Sequence, residues 1–439
     1  MRRLTFPLGG IHPPDRKQDT RHLPSWNAVI PQTSVVPLLQ HVGRPATAIV
    51  GPGDTVREGM LIGRASGEDS ANVHAPIPGI VREIREISLS GAVRCEAVVI
   101  DMGGEFDRLG KRLPAHEWSS LKPPAILRLI RDHGIVGMGG HAVASHVKYG
   151  AALGRPVETL ILNGAESEPY LSADHRVMVE RPAAVLTGLQ IVERLLAPER
   201  IVVGIEANKP DAIAAMSSTI RELGLAYDVV KLTVKYPQGD ERQLIRAVTG
   251  REIPSGGVPQ DVGCMTVGVA TASAIRDAVV FRQPLIERVV TVSGDAVNSP
   301  ANVKVRIGTA IGDLIEECGG FSSTPAKIVV GGPMMGQTIT DLRTPITKDS
   351  RGVLALTRNE VRQAPRTPCI QCGRCVEACP MGLNPALLFR LIDHHNGAAA
   401  LDEGLLDCTE CGSCGYICPS RIPLVQGLRI GKARARNLQ

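Results

Sequence analysis

Between about Val35 and Asp101 the apolar positions fall in short runs broken by glycine. Examples are Ala46-Thr47-Ala48-Ile49-Val50, Gly53-Asp54-Thr55-Val56 and Val73-His74-Ala75-Pro76-Ile77-Pro78-Gly79-Ile80-Val81. Strands of this length with frequent turn signals predict a small β-barrel or sandwich over residues 35–121. From 122 to 286 the pattern changes. Ala125–Arg131 predicts a helix ending at Gly134, and Thr159–Asn163, Ile201–Ile205 and Val229–Val234 predict buried strands. Helical patterns at Ala183–Leu196 and Pro210–Leu223 lie between them, and strand–helix alternation predicts a parallel α/β sheet. Residues 287–340 return to strand texture around one helical stretch, Ile311–Cys318, which predicts a small α+β unit. The Pro-rich residues 1–34 read as an extended arm. Residues 341–365 read as a loop leading into a cysteine-rich unit that completes 341–439, with helical spacers and few strand signals.

A chain of 439 residues is too long for one hydrophobic core, and three or four units are expected. Hydrophobic residues make up 43% and charged residues 21%, the balance of a folded protein. Aromatics are only 3%, so Val, Ile, Leu and Ala must fill the cores. A net charge of +5 is mild at this length, and no basic stretch interleaved with aromatics argues for nucleic-acid binding. No apolar run is long enough to cross a membrane, which excludes direct insertion. Pro7, Pro13 and Pro14 interrupt the basic start before a secretory h-region can form. Of the 11 cysteines, most fall in two tight groups, which is metal spacing rather than a disulfide framework. A reducing, cytoplasmic compartment is expected.

The first group is Cys369-Ile-Gln-Cys372-Gly-Arg-Cys375-Val-Glu-Ala-Cys379-Pro380, and the second is Cys408-Thr-Glu-Cys411-Gly-Ser-Cys414-Gly-Tyr-Ile-Cys418-Pro419. Both repeat the C-x2-C-x2-C-x3-C-P run that ligates [4Fe–4S] clusters in two-cluster ferredoxins, where the fourth cysteine reaches across to the other cluster. One cluster is therefore assigned to Cys369, Cys372, Cys375 and Cys418, the other to Cys408, Cys411, Cys414 and Cys379. Gly373 and Gly412 let backbone approach the sulfides. C-x2-C pairs also bind zinc, but zinc tetrads seldom use three cysteines at two-residue gaps with a fourth before proline. Cys95, Cys264 and Cys318 stand singly and read as small buried hydrophobes. Clusters ligated wholly by cysteine leave no open position for chemistry, so they pass single electrons. No residue is assigned a catalytic role.

A source or sink for those electrons is expected in the α/β segment. Gly134-Ile135-Val136-Gly137-Met138-Gly139-Gly140 offers backbone amides to a phosphate or a flavin edge and precedes the basic His146-Val147-Lys148. Asn163-Gly164-Ala165-Glu166-Ser167-Glu168-Pro169 leaves a strand end, where ligands of α/β sheets bind. Tyr236-Pro237-Gln238-Gly239-Asp240-Glu241-Arg242 follows another strand, and these loops can converge on one crevice. Asp174 and Asp240 read as solvated residues or helix caps.

Gly53–Gly63 with His74–Val81 resembles the half-motifs of lipoyl-type barrel-sandwich domains. No lysine stands at the expected hairpin tip, so the domain reads as scaffold. The opening Gly9-Gly10-Ile11-His12-Pro13-Pro14-Asp15 resembles the start of RnfC, a peripheral component of Rnf-type electron transport complexes. So do Gly134–Lys148, Asn163–Tyr170, Tyr236–Gln243, Pro254-Ser255-Gly256-Gly257, Gly331–Gly336 and the paired cysteine motifs, in the same order along nearly the whole chain. That family's sheet domain in turn resembles the flavin- and NADH-binding subunit of respiratory complex I. The resemblance implies a multidomain α/β protein: a barrel-sandwich N-terminal domain, a Rossmann-like FMN/NADH domain, a β-grasp (SLBB-type) domain and a C-terminal two-cluster ferredoxin-like helical domain. It implies FMN and NADH as cofactors beside the two clusters. Gly137, Gly139, Gly140 and Lys148 would line the flavin loop, Asn163 would hydrogen-bond the flavin, and Glu166, Glu168 and Glu241 would face the flavin–nicotinamide region.

The sequence departs from the family in two places. After the double glycine the family continues Ala-Gly-Phe-Pro-Thr, whereas this chain reads His141-Ala142-Val143-Ala144-Ser145. Val262–Ala270 also lacks the asparagine that follows Val-Gly-Cys in the family. Two readings follow. In one, the chain is a peripheral electron-transfer subunit fed by NADH through FMN, working with Rnf-type membrane subunits on the cytoplasmic face of the inner membrane or with a soluble reductase. In the other, it is a non-enzymatic adaptor that has lost nucleotide binding. The short stretch after the second motif is expected of a pared-down relative.

Overall fold

The computed structural model describes residues 3–140, 142–361 and 365–436. His141 lies outside the described residues.

The N-terminal unit is a sandwich of two small sheets. One orders strands Thr33–Pro37, Arg94–Met102, Gly79–Ser88 and Thr55–Val56; the other orders Thr47–Ala48, Leu61–Arg64 and Val73–His74. Every pairing within them is antiparallel. Val36, Ile62, Val81, Val98 and Ile100 fill the space between, the inward half of each strand's alternation.

The α/β unit carries four parallel strands in the order Asp228–Leu232, Arg200–Glu206, Thr159–Gly164, Cys264–Gly268. Its central strands read as continuous apolar runs because helices cover both faces. The predicted strands and helices stand where the periodicity put them. The fourth strand, Cys264–Gly268, and the helix Val269–Phe281 after it were not predicted. Helix Pro182–Leu196 crosses that helix closely at Gly188, where any Cβ would overlap the Ala272 carbonyl. The chain leaves Thr159–Gly164 toward one side of the sheet and returns to add Cys264–Gly268 on the other. The switch point therefore lies between Asn163 and Gly268, which are paired in register.

The third unit is a mixed six-stranded sheet, ordered Trp26–Asn27, Ala301–Arg306, Glu287–Ser293, Gly352–Leu356, Lys327–Val330, Gln337–Ile339. Helix Ile311–Glu317 packs on it through Ile311, Leu314 and Ile315. The segment 341–365, expected to be a loop, contains Gly352–Leu356, a wholly buried strand in the middle of this sheet. The N-terminal arm is extended but not idle. Leu4 bridges to Leu232, Ile11 to Tyr236, and Trp26–Asn27 forms the edge strand. Phe6 is fully buried beneath it. The last unit is helical, with Pro385–Asp393, Gly397–Asp402 and Leu424–Arg436 around Leu388, Ile392, Leu405 and Leu428. Cys95, Cys264 and Cys318 are buried free thiols.

Lys348 ties three of these units together. Its buried ammonium donates to the carbonyls of Asn72 in the sandwich and Gly134 at the glycine loop, both at 2.8 Å. Burial pulls the ammonium down to about 7 from an ordinary 10.5. Between those values the unfolded chain binds the extra proton and the folded chain does not, so stability rises with pH across that window. The destabilisation is fully present below about 7. Thermal unfolding midpoints followed from pH 7 upward should rise for the wild type, and Lys348→Met should flatten that rise; an unchanged slope in the variant would contradict this reading.

Candidate functional site

The crevice at the sheet's switch point is built from three loops. Asn163, at the end of the central strand, donates through Nδ2 to the Gly239 carbonyl at 2.9 Å, and its Oδ1 accepts from the Ala165 amide. The Gly239 amide donates to Ser167 Oγ at 3.1 Å, which closes the loop after Asp228–Leu232 onto the loop after Thr159–Gly164. Lys148, on the short helix Ser145–Gly150, donates to Glu241 Oε1 at 2.5 Å and to Thr266 Oγ1 at 2.9 Å. Thr266 Oγ1 also bonds Glu241. Lys148, Asn163 and Glu241 are thus brought to one place, and their charge and hydrogen bonds are answered within the protein.

Glu166 and Glu168 are directed elsewhere. Glu166, at a left-handed φ of 44°, accepts from the Asp174 and His175 amides at 2.7 and 3.1 Å, the first turn of helix Ala173–Glu180. An anion there meets the helix dipole and the unpaired amides. Glu168 is buried and accepts from the Met334 and Met335 amides at 3.1 and 3.0 Å, with Arg351 at 3.9 Å. Burial pushes its carboxyl up, although Arg351 and the two amides oppose this. Asp240 is a helix cap, accepting from Arg242 and Gln243. Asp174 is not a solvated residue: burial and the neighbouring Glu166 push its carboxyl up, while Arg288 and Arg351 hold it down.

The glycine loop is pinned at its base by Gly137 N to Val143 O at 2.8 Å and Met138 N to Thr271 Oγ1 at 3.0 Å. Gly139 and Gly140 are exposed, and Gly140 sits at φ 109° with the Arg351 guanidinium against it. Open backbone beside a guanidinium suits an anionic group. An FMN-type ligand fits at that corner, with Asn163 and the Lys148–Glu241 pair at the strand ends. Arg351 was not legible locally, because it stands in the segment expected to be a loop.

Four cysteines, Cys369, Cys372, Cys375 and Cys418, line one cavity of about 330 Å³. Cys379, Cys408, Cys411 and Cys414 line a second, tighter one of about 20 Å³. The two motifs share a backbone. Gln371 and Glu410 lie at φ 52° and 57°, Gly373 and Gly412 at 74° and 86°, and each glycine caps a short helix, Arg374–Glu377 or Ser413–Ile417. Such turns aim amides at sulfur, as the Glu410 N–H to Cys408 Sγ contact of 3.4 Å shows. Among the described residues, no three His, Cys, Asp or Glu side chains close on a point as a single ion requires. A spread tetrad around a cavity suits a multi-atom cluster better than one tetrahedral ion. Burial pushes the Cys411 thiol up to about 11 and raises Cys408 and Cys379, so the positive charge of iron is needed to hold them as thiolates.

The two cavities differ in setting. Cys369 and Cys372 are exposed, whereas Cys379, Cys411 and Cys414 are buried against the sheet's loops. Tyr236 donates its hydroxyl to the Cys411 carbonyl at 2.6 Å, and Gln243 Nε2 reaches Met381 Sδ at 3.2 Å. Gly412 abuts the Met334 carbonyl, and Arg429 donates to the Met335 carbonyl at 3.1 Å. The turn that Glu168 holds is the turn against which the inner cysteine loop rests.

A sheet with a flavin-type corner, joined to a helical unit with paired cysteine cavities, defines an iron–sulfur electron-transfer protein. Family models agree segment by segment. Residues 4–105 match the RnfC barrel sandwich hybrid domain, 130–277 the Nuo51 FMN-binding domain, 289–338 the SLBB domain and 368–422 a 4Fe-4S dicluster domain. The chain is 44% identical over 98% of its length, and 93% of the relative's, to the RnfC component of the proton-translocating ferredoxin:NAD(+) oxidoreductase complex of Clostridium ljungdahlii. It is 40% identical to the corresponding component of the ion-translocating oxidoreductase complex of Rhodobacter capsulatus, covering 98% of this chain and 83% of that one. It is 38% identical to the counterpart in the Na(+)-translocating ferredoxin:NAD(+) oxidoreductase complex of Acetobacterium woodii, covering 97% and 96%. The chain belongs to the RnfC family of ion-translocating oxidoreductase complexes. Among solved structures, an NAD+-reducing [NiFe]-hydrogenase in its H2-reduced state shares the fold, with TM-score 0.51 and 18% identity over 73% of this chain and 61% of that one.

Replacing Glu168 by alanine would strand the Met334 and Met335 amides, a loss of about 1–3 kcal/mol. Glu168→Ala should therefore lower the thermal unfolding midpoint by several degrees. Gly332→Ala, whose Cβ would collide with the Glu168 carboxylate, should do the same. An unchanged midpoint in both variants would mean that the clamp contributes nothing to stability.

Proposed function

We propose that the chain relays single electrons between a flavin-type crevice and a partner, through two [4Fe–4S] clusters in series. The observation that carries this reading is the pair of four-cysteine cavities, the inner one against the α/β loops and the outer one exposed. Cys408, Cys411, Cys414 and Cys379 would hold the inner cluster; Cys369, Cys372, Cys375 and Cys418 would hold the outer one. When bound, such clusters move one electron at a time, and a flavin exchanges a hydride pair for single electrons. The protein's part is positional. Gly139, Gly140 and Arg351 offer the anion corner, while Asn163, Lys148 and Glu241 border the strand ends. Tyr236 anchors the inner cysteine loop beside the sheet, and exposure of Cys369 and Cys372 leaves the outer site open to a docking partner.

No helix among the described residues is long and apolar enough to cross a membrane. With relatives named as subunits of ion-translocating complexes, the chain is assigned a peripheral place on the cytoplasmic face, docked onto integral subunits. One observation favours a second reading, in which the crevice is inherited scaffold: Lys148, Glu241, Thr266, Asn163 and Gly239 answer one another's hydrogen bonds.

Anaerobically reconstituted protein should carry about eight iron and eight acid-labile sulfide per chain. Cys379→Ala and Cys418→Ala should each lose about half of that iron, from spectroscopically different clusters. Loss of the same signal in both variants would overturn the crossed ligand sets. Added FMN and NADH should bleach the cluster absorption in the first functional reading. Full clusters with no FMN binding and no response to NADH would select the adaptor.

A further inference from the structure

A second cavity, remote from the cysteines, has no part in this relay. It measures about 730 Å³ and lies where the sandwich, helix Val269–Phe281 and the β-grasp sheet meet. That volume is in the usual range for small-molecule sites, roughly 300–1,000 Å³. The geometry points to a binding site for a phosphate-bearing anion of nucleoside-diphosphate size.

Its walls carry more cations than carboxylates. Seven basic side chains line it, against three acidic ones, Glu58, Asp277 and Glu287. Every one of those acids is already engaged. Glu58 accepts from Arg306 Nη2 at 2.6 Å and from the Arg108 and Leu109 amides at 2.7 and 3.2 Å. Glu287 pairs with Lys304 at 2.6 Å, and Asp277 with Arg276 at 2.5 Å and Arg181 at 3.6 Å. Arg108, Lys111 and Arg112 also line the cavity, and among the described residues none of their side chains has a carboxylate partner.

Two guanidinium groups point to a missing acceptor. Arg306 is 5% exposed, and its Nη1 has no hydrogen-bond partner. Arg108 Nε is buried and likewise unpartnered. A buried N–H left without an acceptor is costly, and a guanidinium fork matches a phosphate's oxygens. The loop that carries Arg108, Lys111 and Arg112 is held at both ends, by Glu58 at Arg108 and by His116 N to Val280 O at 2.8 Å. Phe281, with Arg276 lying 4.2 Å from its ring centroid, gives one wall an apolar face against which a nucleobase can rest. The occupant is thus a compact polyanion with a flat apolar part. Arg181, Asp277, Gln283 and Glu287 also line a narrow neighbouring cavity that reaches Met138 and Ala270, so an occupant would sit one cavity away from the glycine loop.

Calorimetric titration of the reconstituted full chain with ADP and with pyrophosphate tests the assignment. Saturable binding of either below about 1 mM, weakening as salt rises, is expected. Tighter binding of ADP than of pyrophosphate identifies a nucleotide; equal binding identifies an inorganic phosphate anion, and both support the site. Arg108→Ala and the Lys111→Ala/Arg112→Ala pair should each weaken binding about tenfold or more. These side chains have no carboxylate to lose, so the thermal midpoint and cluster absorption should hold, which separates lost binding from lost folding. Lys148→Ala should leave the affinity as it was. No binding by either probe, or binding indifferent to both sets of basic-loop variants, would overturn the proposal, as would binding abolished by Lys148→Ala.

Discussion

One small seam fixes how the domains of this chain relate. Ile11 from the arm, Tyr236 from the α/β sheet, and Ala378 and Cys411 from the cluster unit are buried together, with Met334 of the β-grasp turn packed alongside. The seam leaves no room for variation: a Cβ on Gly9 would collide with the Cys379 carbonyl, and Gly10 N donates to Ala378 O at 3.0 Å. Four segments remote in sequence therefore meet at the inner cysteine loop. If this contact loosens, the inner tetrad no longer has a defined position against the sheet.

Electrostatics and burial reinforce that order. The inner thiols lie in a dry, tight setting where the neutral form is favoured, so loading with iron must expel protons as the thiolates form. The outer tetrad keeps two exposed cysteines and the more open cavity. Burial lowers the local dielectric at the inner site, while solvent reaches the outer one, and cluster potentials respond to that difference. Glu168 directs its hydrogen bonds to the turn that backs the inner loop, so a residue expected at the nicotinamide also serves the architecture.

What could be read from the sequence was what chemistry writes locally. The crossed cysteine sets follow from spacing alone, because the three-residue gap before Cys379 and Cys418 sends each across to the other motif. The parallel strands followed from short apolar runs between helical patterns. Gly352-Val-Leu-Ala-Leu356 was not legible because a short apolar run amid polar turns has no period, and only its partners Val292 and Val329 make it a strand. Arg351, just before it, was hidden for the same reason. The convergence of Lys148 with Glu241 and Thr266 was only half legible, since the loops were visible but their mutual neutralisation is a property of three-dimensional contact. The basic cavity draws on three separate units, and no sequence window contains it.

One cysteine tetrad is interior, against the sheet, and the other is open to solvent; the order of the relay rests on that difference. Power-saturation EPR of the fully reduced protein, with and without a soluble dysprosium chelate, tests it most directly. Strong relaxation enhancement is expected for the cluster that Cys418→Ala removes, and weak enhancement for the one that Cys379→Ala removes. Equal enhancement of the two signals, or the reverse order, would contradict it.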